Sequence, residues 1–163
     1  MLCPCGSAIL FTHCCQPYFH TIKPIVHPQT AEQLMRSRFS AYAQKNGQYI
    51  YETYAEKERV KQSLSDIQQW ADDCIWLALE IYESNENTVD FSAYYINNNI
   101  LCHLREKSNF IIEQSLFRYL DGEITQHDEL SQVKRNDVCP CNLYPTAWAV
   151  KKKNKKYKHC CGK

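Results

Sequence analysis

The sequence predicts an α+β protein: helices packed on an antiparallel sheet, with a small thiol-rich module at each end. Three observations carry this. Residues 30–71 show helical spacing with capping signals, residues 75–124 alternate as strands, and two matching cysteine quartets flank both regions.

The helical half begins at Thr30, a capping residue with Gln33 three positions later. Leu34, Phe39, Tyr42 and Ala43 follow near helical spacing, and Asn46-Gly47 closes the segment. Residues 48–54 predict a short second helix. Ser63 or Ser65 caps a third, with Ile67, Trp70 and Ala71 facing inward. After Asp73 the texture changes. Trp76, Ala78, Glu80 and Tyr82 alternate with Ile75, Leu77, Leu79 and Ile81, in a stretch rich in strand formers. Residues 84–87 are a turn. Val89, Phe91, Ala93 and Tyr95 then alternate with Asp90, Ser92 and Tyr94, and Asn97, Asn98 and Asn99 form another turn. Residues 101–112 and 116–124 give two more strands. The polar stretch 126–134 reads as a linker to the last module, and residues 24–28 play the same part after the first.

With 44% hydrophobic residues among 163, the chain can bury a core, which excludes disorder as its main state. The net charge of +1 hides a division: residues 134–163 carry +8 and residues 1–133 carry −7. A basic tail on an acidic body raises nucleic acid or an acidic protein as partner. No apolar run approaches the ~20 residues of a membrane span. The first ten residues lack the basic start and long apolar stretch of a secretory signal, so the expected location is the cytoplasm. In that reducing compartment ten cysteines do not make a disulfide framework, and metal is the better use for them.

The spacing supports metal. Cys3-Pro4-Cys5 is followed after eight residues by Cys14-Cys15, and Cys139-Pro140-Cys141 after eighteen residues by Cys160-Cys161. Each set offers four soft thiolates, the coordination number of structural zinc, so two zinc ions are expected; an iron–sulfur cluster is the alternative. The proline fixes the turn that aims two sulfurs at one point. His13 and His159 stand one residue before the vicinal pairs and compete with Cys15 and Cys161 as fourth ligands. The competing reading is a set of inert buried thiols, which fits the isolated Cys74 and Cys102 better than the two repeated quartets.

Cys3-Pro-Cys-Gly-Ser, closing in His-Cys-Cys, resembles the SEC-C zinc motif found at the end of the SecA preprotein translocase. Arg135-Asn-Asp-Val-Cys-Pro-Cys141 and Asn154-Lys-Lys-Tyr-Lys-His-Cys-Cys-Gly162 resemble its opening and closing halves. The second copy departs from the pattern, with Asn142 in place of glycine and an insertion over residues 143–153. A SEC-C motif at each end, flanking Leu34-Met-Arg-Ser-Arg-Phe-Ser-Ala-Tyr42, with Trp76-Leu, Phe117 and Tyr119-Leu-Asp-Gly122 further on, is similar to the YchJ family over nearly the full length. The resemblance implies a nuclear transport factor 2-like central domain over residues 28–127, between SEC-C modules at 1–22 and 134–163. It implies no activity.

A curved sheet closed by helices makes a cone with a pocket at its mouth. Candidate lining residues are Arg36, Arg38, Tyr42, Trp76, Tyr94, Arg105 and Glu106, with Glu80, Asp90 and Asp121 as further carboxylates. No spacing among these marks a catalytic pair, and no phosphate loop or nucleophile motif occurs. The alternative is that the arginines form salt bridges and the aromatics fill the core. His20, His27, His103 and His127 are scattered. Lys151, Lys152, Lys153, Lys155, Lys156 and Lys158 surround Tyr157 and exceed what charge balance at a four-thiolate centre requires. They point to a binding surface, with Tyr157 or Trp148 able to stack on a base. The SEC-C resemblance points the same way, because the SecA motif binds a protein partner and ribosomal surfaces. The functional expectation is a zinc protein that contacts a protein or ribonucleoprotein through its SEC-C modules. A small-molecule or enzymatic role for the central pocket and nucleic-acid binding by the lysines are the alternatives.

Overall fold

The structure, a computed structural model, describes residues 1–19, 25–144 and 154–163. His20, Pro24, Trp148, Lys151, Lys152 and Lys153 lie outside these residues.

Helix α1 spans Ala31–Ala43. The Thr30 hydroxyl accepts from the Gln33 amide at 3.1 Å, while the Gln33 side chain reaches back to the Gln29 amide at 2.7 Å, one residue earlier than in a standard capping box. Asn46 does not end α1 but starts α2 (Gly47–Glu52), its side chain accepting from the Tyr49 amide at 3.1 Å. A one-turn helix α3 (Glu56–Arg59), absent from the sequence reading, follows. It is fully polar, so it carries no periodic signal. Ser63 caps α4 (Leu64–Asp73), and at the other end the Lys45 ammonium donates to the carbonyls of Ala71 and Cys74.

Four antiparallel strands follow in meander order: β1 (Cys74–Ser84), β2 (Thr88–Asn97), β3 (Ile100–Glu113) and β4 (Leu116–Gln132). The expected linker over 126–134 is a strand up to Gln132. Its residues are almost all exposed, so no apolar alternation marks it; pairing with β3, as in His103 opposite Asp128 and Ile100 opposite Gln132, holds it extended. Both later hairpins use two-residue loops with two positive φ values, Asn98-Asn99 (49° and 61°) and Gln114-Ser115 (49° and 64°). This is the type I′ geometry, whose twist matches that of the strands.

A bulge between Trp76 and Ala78 breaks the even–odd alternation read for β1. Trp76 therefore pairs with Tyr95 and shares the concave face with Leu79 and Ile81, which pair with Ala93 and Phe91. Leu77 turns to the other side and joins Ile96 and Leu101. Both sheet faces are covered. The concave face packs against α1, whose Leu34, Met35 and Phe39 share one core with Phe91, Tyr95 and Phe110. On the other face Leu77, Ile96 and Leu101 pack against Val133, Cys139, Cys141 and Tyr157 of the C-terminal segment. Ile67 and Ala71 of α4 are buried as expected, while Trp70 stays 37 % exposed and meets Trp76 and Tyr95 edge-on.

The Gln114-Ser115 loop places two ordinary L-residues at positive φ, each costing about 1 kcal/mol or more. Gln114→Asn combined with Ser115→Gly is expected to stabilise the protein by about 1–2 kcal/mol, a Tm rise of roughly 3–6 °C by calorimetry. An unchanged Tm would mean that the loop does not strain the hairpin.

Candidate functional site

The two cysteine segments fold alike despite their different lengths. In the first, the Cys3 amide donates to the Ile9 carbonyl at 2.8 Å and Phe11 to Met1 at 3.0 Å; in the second, Cys139 donates to Lys155 at 2.9 Å and Tyr157 to Asp137 at 2.8 Å. Single antiparallel bridges join Leu2 to Leu10 and Val138 to Lys156. Each segment closes in a 3-10 turn, Phe11–His13 or Tyr157–His159, that delivers the vicinal cysteines. The insertion falls between Asn142 and Asn154, whose backbone amide donates to the Asn142 side chain at 3.0 Å and so joins its two ends. Gly6 uses a positive φ of 77°, whereas Asn142 has none and instead donates its side-chain amide to the Cys139 carbonyl at 2.9 Å. The replacement of glycine thus leaves the loop intact.

Within each quartet all four sulfurs lie within 4.8 Å of one another. Individual separations are 3.7 Å for Cys5–Cys14, 3.8 Å for Cys14–Cys15, 3.5 Å for Cys141–Cys160 and 3.9 Å for Cys160–Cys161. A tetrahedral ion with metal–sulfur bonds of ~2.3 Å has sulfur–sulfur edges of about 3.8 Å. The donor set therefore fits one soft, four-coordinate metal ion at each end. Both quartets are sulfur only, and His13 and His159 are exposed outside them. Crowding makes the same point. The sulfurs of Cys3 and Cys5, helped by burial, push the Cys15 thiol strongly up; burial and then Cys161 do so for Cys141. Four thiolates so close need a cation among them.

The centres differ in setting. Cys3, Cys5 and Cys15 are buried in the main core beside α1, where Cys3 lies 3.4 Å from the Ser40 hydroxyl. Arg36 bonds Glu32 at 2.8 Å and donates to the Cys5 carbonyl at 2.9 Å. Cys160 and Cys161 remain partly exposed beside exposed Lys155 and Lys156. Tyr157 anchors this module, its hydroxyl donating to Asn99 at 3.3 Å.

The cone holds an open-mouthed cavity of ≈200 Å³. Of the candidate residues Arg38, Tyr42, Trp76 and Glu106 line it, together with Tyr54, Trp70, Ser108 and Tyr119. Arg36, Tyr94 and Arg105 lie elsewhere. Arg36 serves the cysteine module, and Arg105 makes a two-pronged bond to Asp90 at 3.0 and 2.9 Å while covering the Tyr82 ring. Tyr94 stacks on His103 and Tyr144 on the outer face. Even and odd positions point to opposite faces of a strand, so Arg105 and Tyr94 could not share a face with Glu106 and Tyr95.

His103 bonds Ser92 at 2.7 Å and has Asp128 at 3.9 Å on its other nitrogen. The order imitates a serine nucleophile relay. Ser92 is fully buried and receives the Tyr82 hydroxyl at 3.1 Å, so this group satisfies buried polar atoms and offers no surface for chemistry.

Burial pushes the Tyr42 phenol up to about 12, and burial followed by the nearby Glu106 carboxylate pushes Tyr119 up further. Both phenols ionise later in the folded chain than in the unfolded one. The stability they contribute is complete below about pH 10 and is lost as pH rises towards 12. Calorimetry is expected to show Tm falling steeply in this window, and Tyr42→Phe to remove on the order of 2 kcal/mol of that pH dependence. An unaltered slope in the variant would place the alkaline loss elsewhere.

Residues 30–122, more than half of the chain, match the family described as YchJ, middle NTF2-like domain. A UPF0225 protein of Photorhabdus laumondii subsp. laumondii is 36% identical over 171 residues, covering 99% of this chain and 98% of its own. A UPF0225 protein of Actinobacillus succinogenes is 33% identical, covering 99% and 96%. Among solved structures, a SEC-C motif containing protein from Rhodopseudomonas palustris superposes with a TM-score of 0.68 at 27% identity, covering 77% of this chain and 100% of that one. A second, from Psychrobacter arcticus, has a TM-score of 0.63 at 24% identity, covering 99% and 96%, and bears on the fold alone. With a family match across its central domain and full-length relatives above 30% identity, the chain belongs to the YchJ family of UPF0225 proteins.

Proposed function

We propose that the protein is a two-zinc adaptor. The N-terminal centre consolidates the fold, and the C-terminal module contacts an acidic protein or ribonucleoprotein surface. The observation that carries this reading is the contrast between the two centres. The first keeps Cys3, Cys5 and Cys15 buried in the core and only Cys14 partly open, while the second buries Cys139 and Cys141 but leaves both Cys160 and Cys161 partly open, on a segment that also carries Lys155, Lys156, Lys158 and Lys163. A structural ion needs no such rim of ammonium groups, because the first centre has none along its described segment. The charge of +8 over residues 134–163 supports an acidic counterpart, and the thiol-only ligand sets support zinc.

On this reading residues 1–22 and 134–163 are the metal modules, and the domain that joins them begins at residue 28 and runs past the expected end at 127 to the close of β4 at Gln132. The cytoplasm suits ten free thiols, and no described helix is long and apolar enough to cross a membrane.

Elemental analysis of protein purified without a metal-affinity tag is expected to return two zinc ions per chain. Cys5→Ser and Cys141→Ser should each remove one, and Cys5→Ser should cost more Tm because Cys5 belongs to the main core with Leu34 and Phe39, whereas Cys141 belongs to the smaller cluster on the outer sheet face. Affinity capture from a bacterial lysate, with intact and zinc-stripped protein, tests the adaptor role. The expected partner is retained by intact protein at low salt and lost after Cys139→Ser or after Lys155→Ala with Lys156→Ala. Retention that survives both changes would remove the C-terminal module from the interface.

A further inference from the structure

The cone cavity contains polar groups that the fold itself does not use. Trp76 is 95 % buried on its wall, yet its indole N–H finds no acceptor among the described residues. A buried donor left without a partner costs about 1–3 kcal/mol and calls for an explanation. Arg38 is 96 % buried and has no carboxylate within 4.0 Å among the described residues. One of its amino groups donates to the Ile50 carbonyl at 2.8 Å and the Thr53 hydroxyl at 2.7 Å, and its guanidinium lies 4.5 and 4.6 Å from the ring centres of Tyr54 and Tyr119. Glu106 supplies the opposite charge on the same cavity. Its Oε1 accepts from Ser108 at 2.7 Å and from Tyr119 at 2.8 Å, while its other oxygen has no hydrogen bond among the described residues. Gly122 makes room for this carboxylate: a Cβ there would stand 1.9 Å from Glu106 Oε1.

We propose that the cavity binds a small planar heteroaromatic molecule with an amide-type edge: an N–H donates to Glu106, and a carbonyl accepts from Trp76 as the indole turns its sealed N–H toward the guest. Size and charge both limit the ligand. A cavity of about 150 Å³ lined by apolar side chains holds a benzene ring, so ≈200 Å³ takes one ring with a polar substituent, and anything larger would project through the open mouth. The charges of Arg38 and Glu106 offset one another, which favours a neutral guest. A phosphate or carboxylate would meet Glu106, and a hydrocarbon would leave both polar groups dry and unpaired. The rings of Phe39, Tyr42, Trp70 and Phe91 supply flat apolar walls. This inference is independent of the zinc modules and of the lysine rim.

The test uses the full-length, metal-replete protein with benzamide, nicotinamide and uracil as probes and toluene and benzoate as controls, read by calorimetry and tryptophan fluorescence. Saturable binding is expected for at least one amide-edged probe, with toluene and benzoate at least tenfold weaker. Trp76→Phe, which keeps a ring at the wall, should weaken the probe about tenfold, as should Gly122→Ala through displacement of Glu106. In the unmodified protein the Trp76 indole proton resonance should move downfield on titration, a readout that needs no variant. Binding should persist in the Lys155→Ala, Lys156→Ala protein. The proposal is overturned by no saturable binding of any amide-edged probe, by equal affinity for toluene, or by an indole resonance that stays in place while a probe binds.

Discussion

The guanidinium of Arg38 joins the parts of the central domain. From the middle of α1 it holds the end of α2 through Ile50 and Thr53 and lies against the rings of Tyr54 and Tyr119. The backbone completes this corner: the Tyr119 amide donates to the Thr53 carbonyl at 2.9 Å, and the Ala55 amide to the Tyr119 carbonyl at 2.7 Å. A buried charge is tolerated here because two aromatic faces and two oxygens surround it. With helix and strand fixed at this distance the cone stays open and Glu106 keeps its place beside Tyr119.

A second constraint comes from the ends of the chain. In each thiol module an aromatic residue of the closing 3-10 turn takes part in docking. Phe11 meets Phe19, which in turn packs on Tyr49 of α2; Tyr157 reaches the β2–β3 loop. The helical layer and the outer sheet face are thereby covered from opposite directions by related pieces of chain. A metal bound at the first quartet would be coupled to burial, because Cys3, Cys5 and Cys15 belong to the same apolar cluster as Leu34 and Phe39.

Much of this was legible in the sequence. Thr30 declared its helix because a hydroxyl at a helix start does one local job, whereas Ser63 and Ser65 were equal candidates until Ser63 was seen to cap α4; the quartets stood out because eight thiols recur in one pattern at both ends. Local patterns failed where tertiary context decided. The bulge after Trp76 inverted the face assignment of β1, and the second half of β4, exposed on both sides, had no alternation to read. Tyr54 and Tyr119 were missed in the cavity since nothing in their neighbourhoods reveals a shared arginine. Arg36, Tyr94 and Arg105 were placed there on residue type alone, whereas Gly122 gains meaning only once Glu106 is seen across the β3–β4 pair.

The long fourth strand ends the sheet, with only a single bridge to Tyr54 among the described residues on its outer side. Such a border invites a second chain to add a strand and so to seed polymers. Here the register against β3 shifts at three points, and Asp121, Glu123, Asp128 and Glu129 place carboxylates along the border. Two copies meeting edge to edge would align like charges on a bent ribbon. The polarity that hid this strand from the sequence pattern also guards the molecule against self-association into fibres.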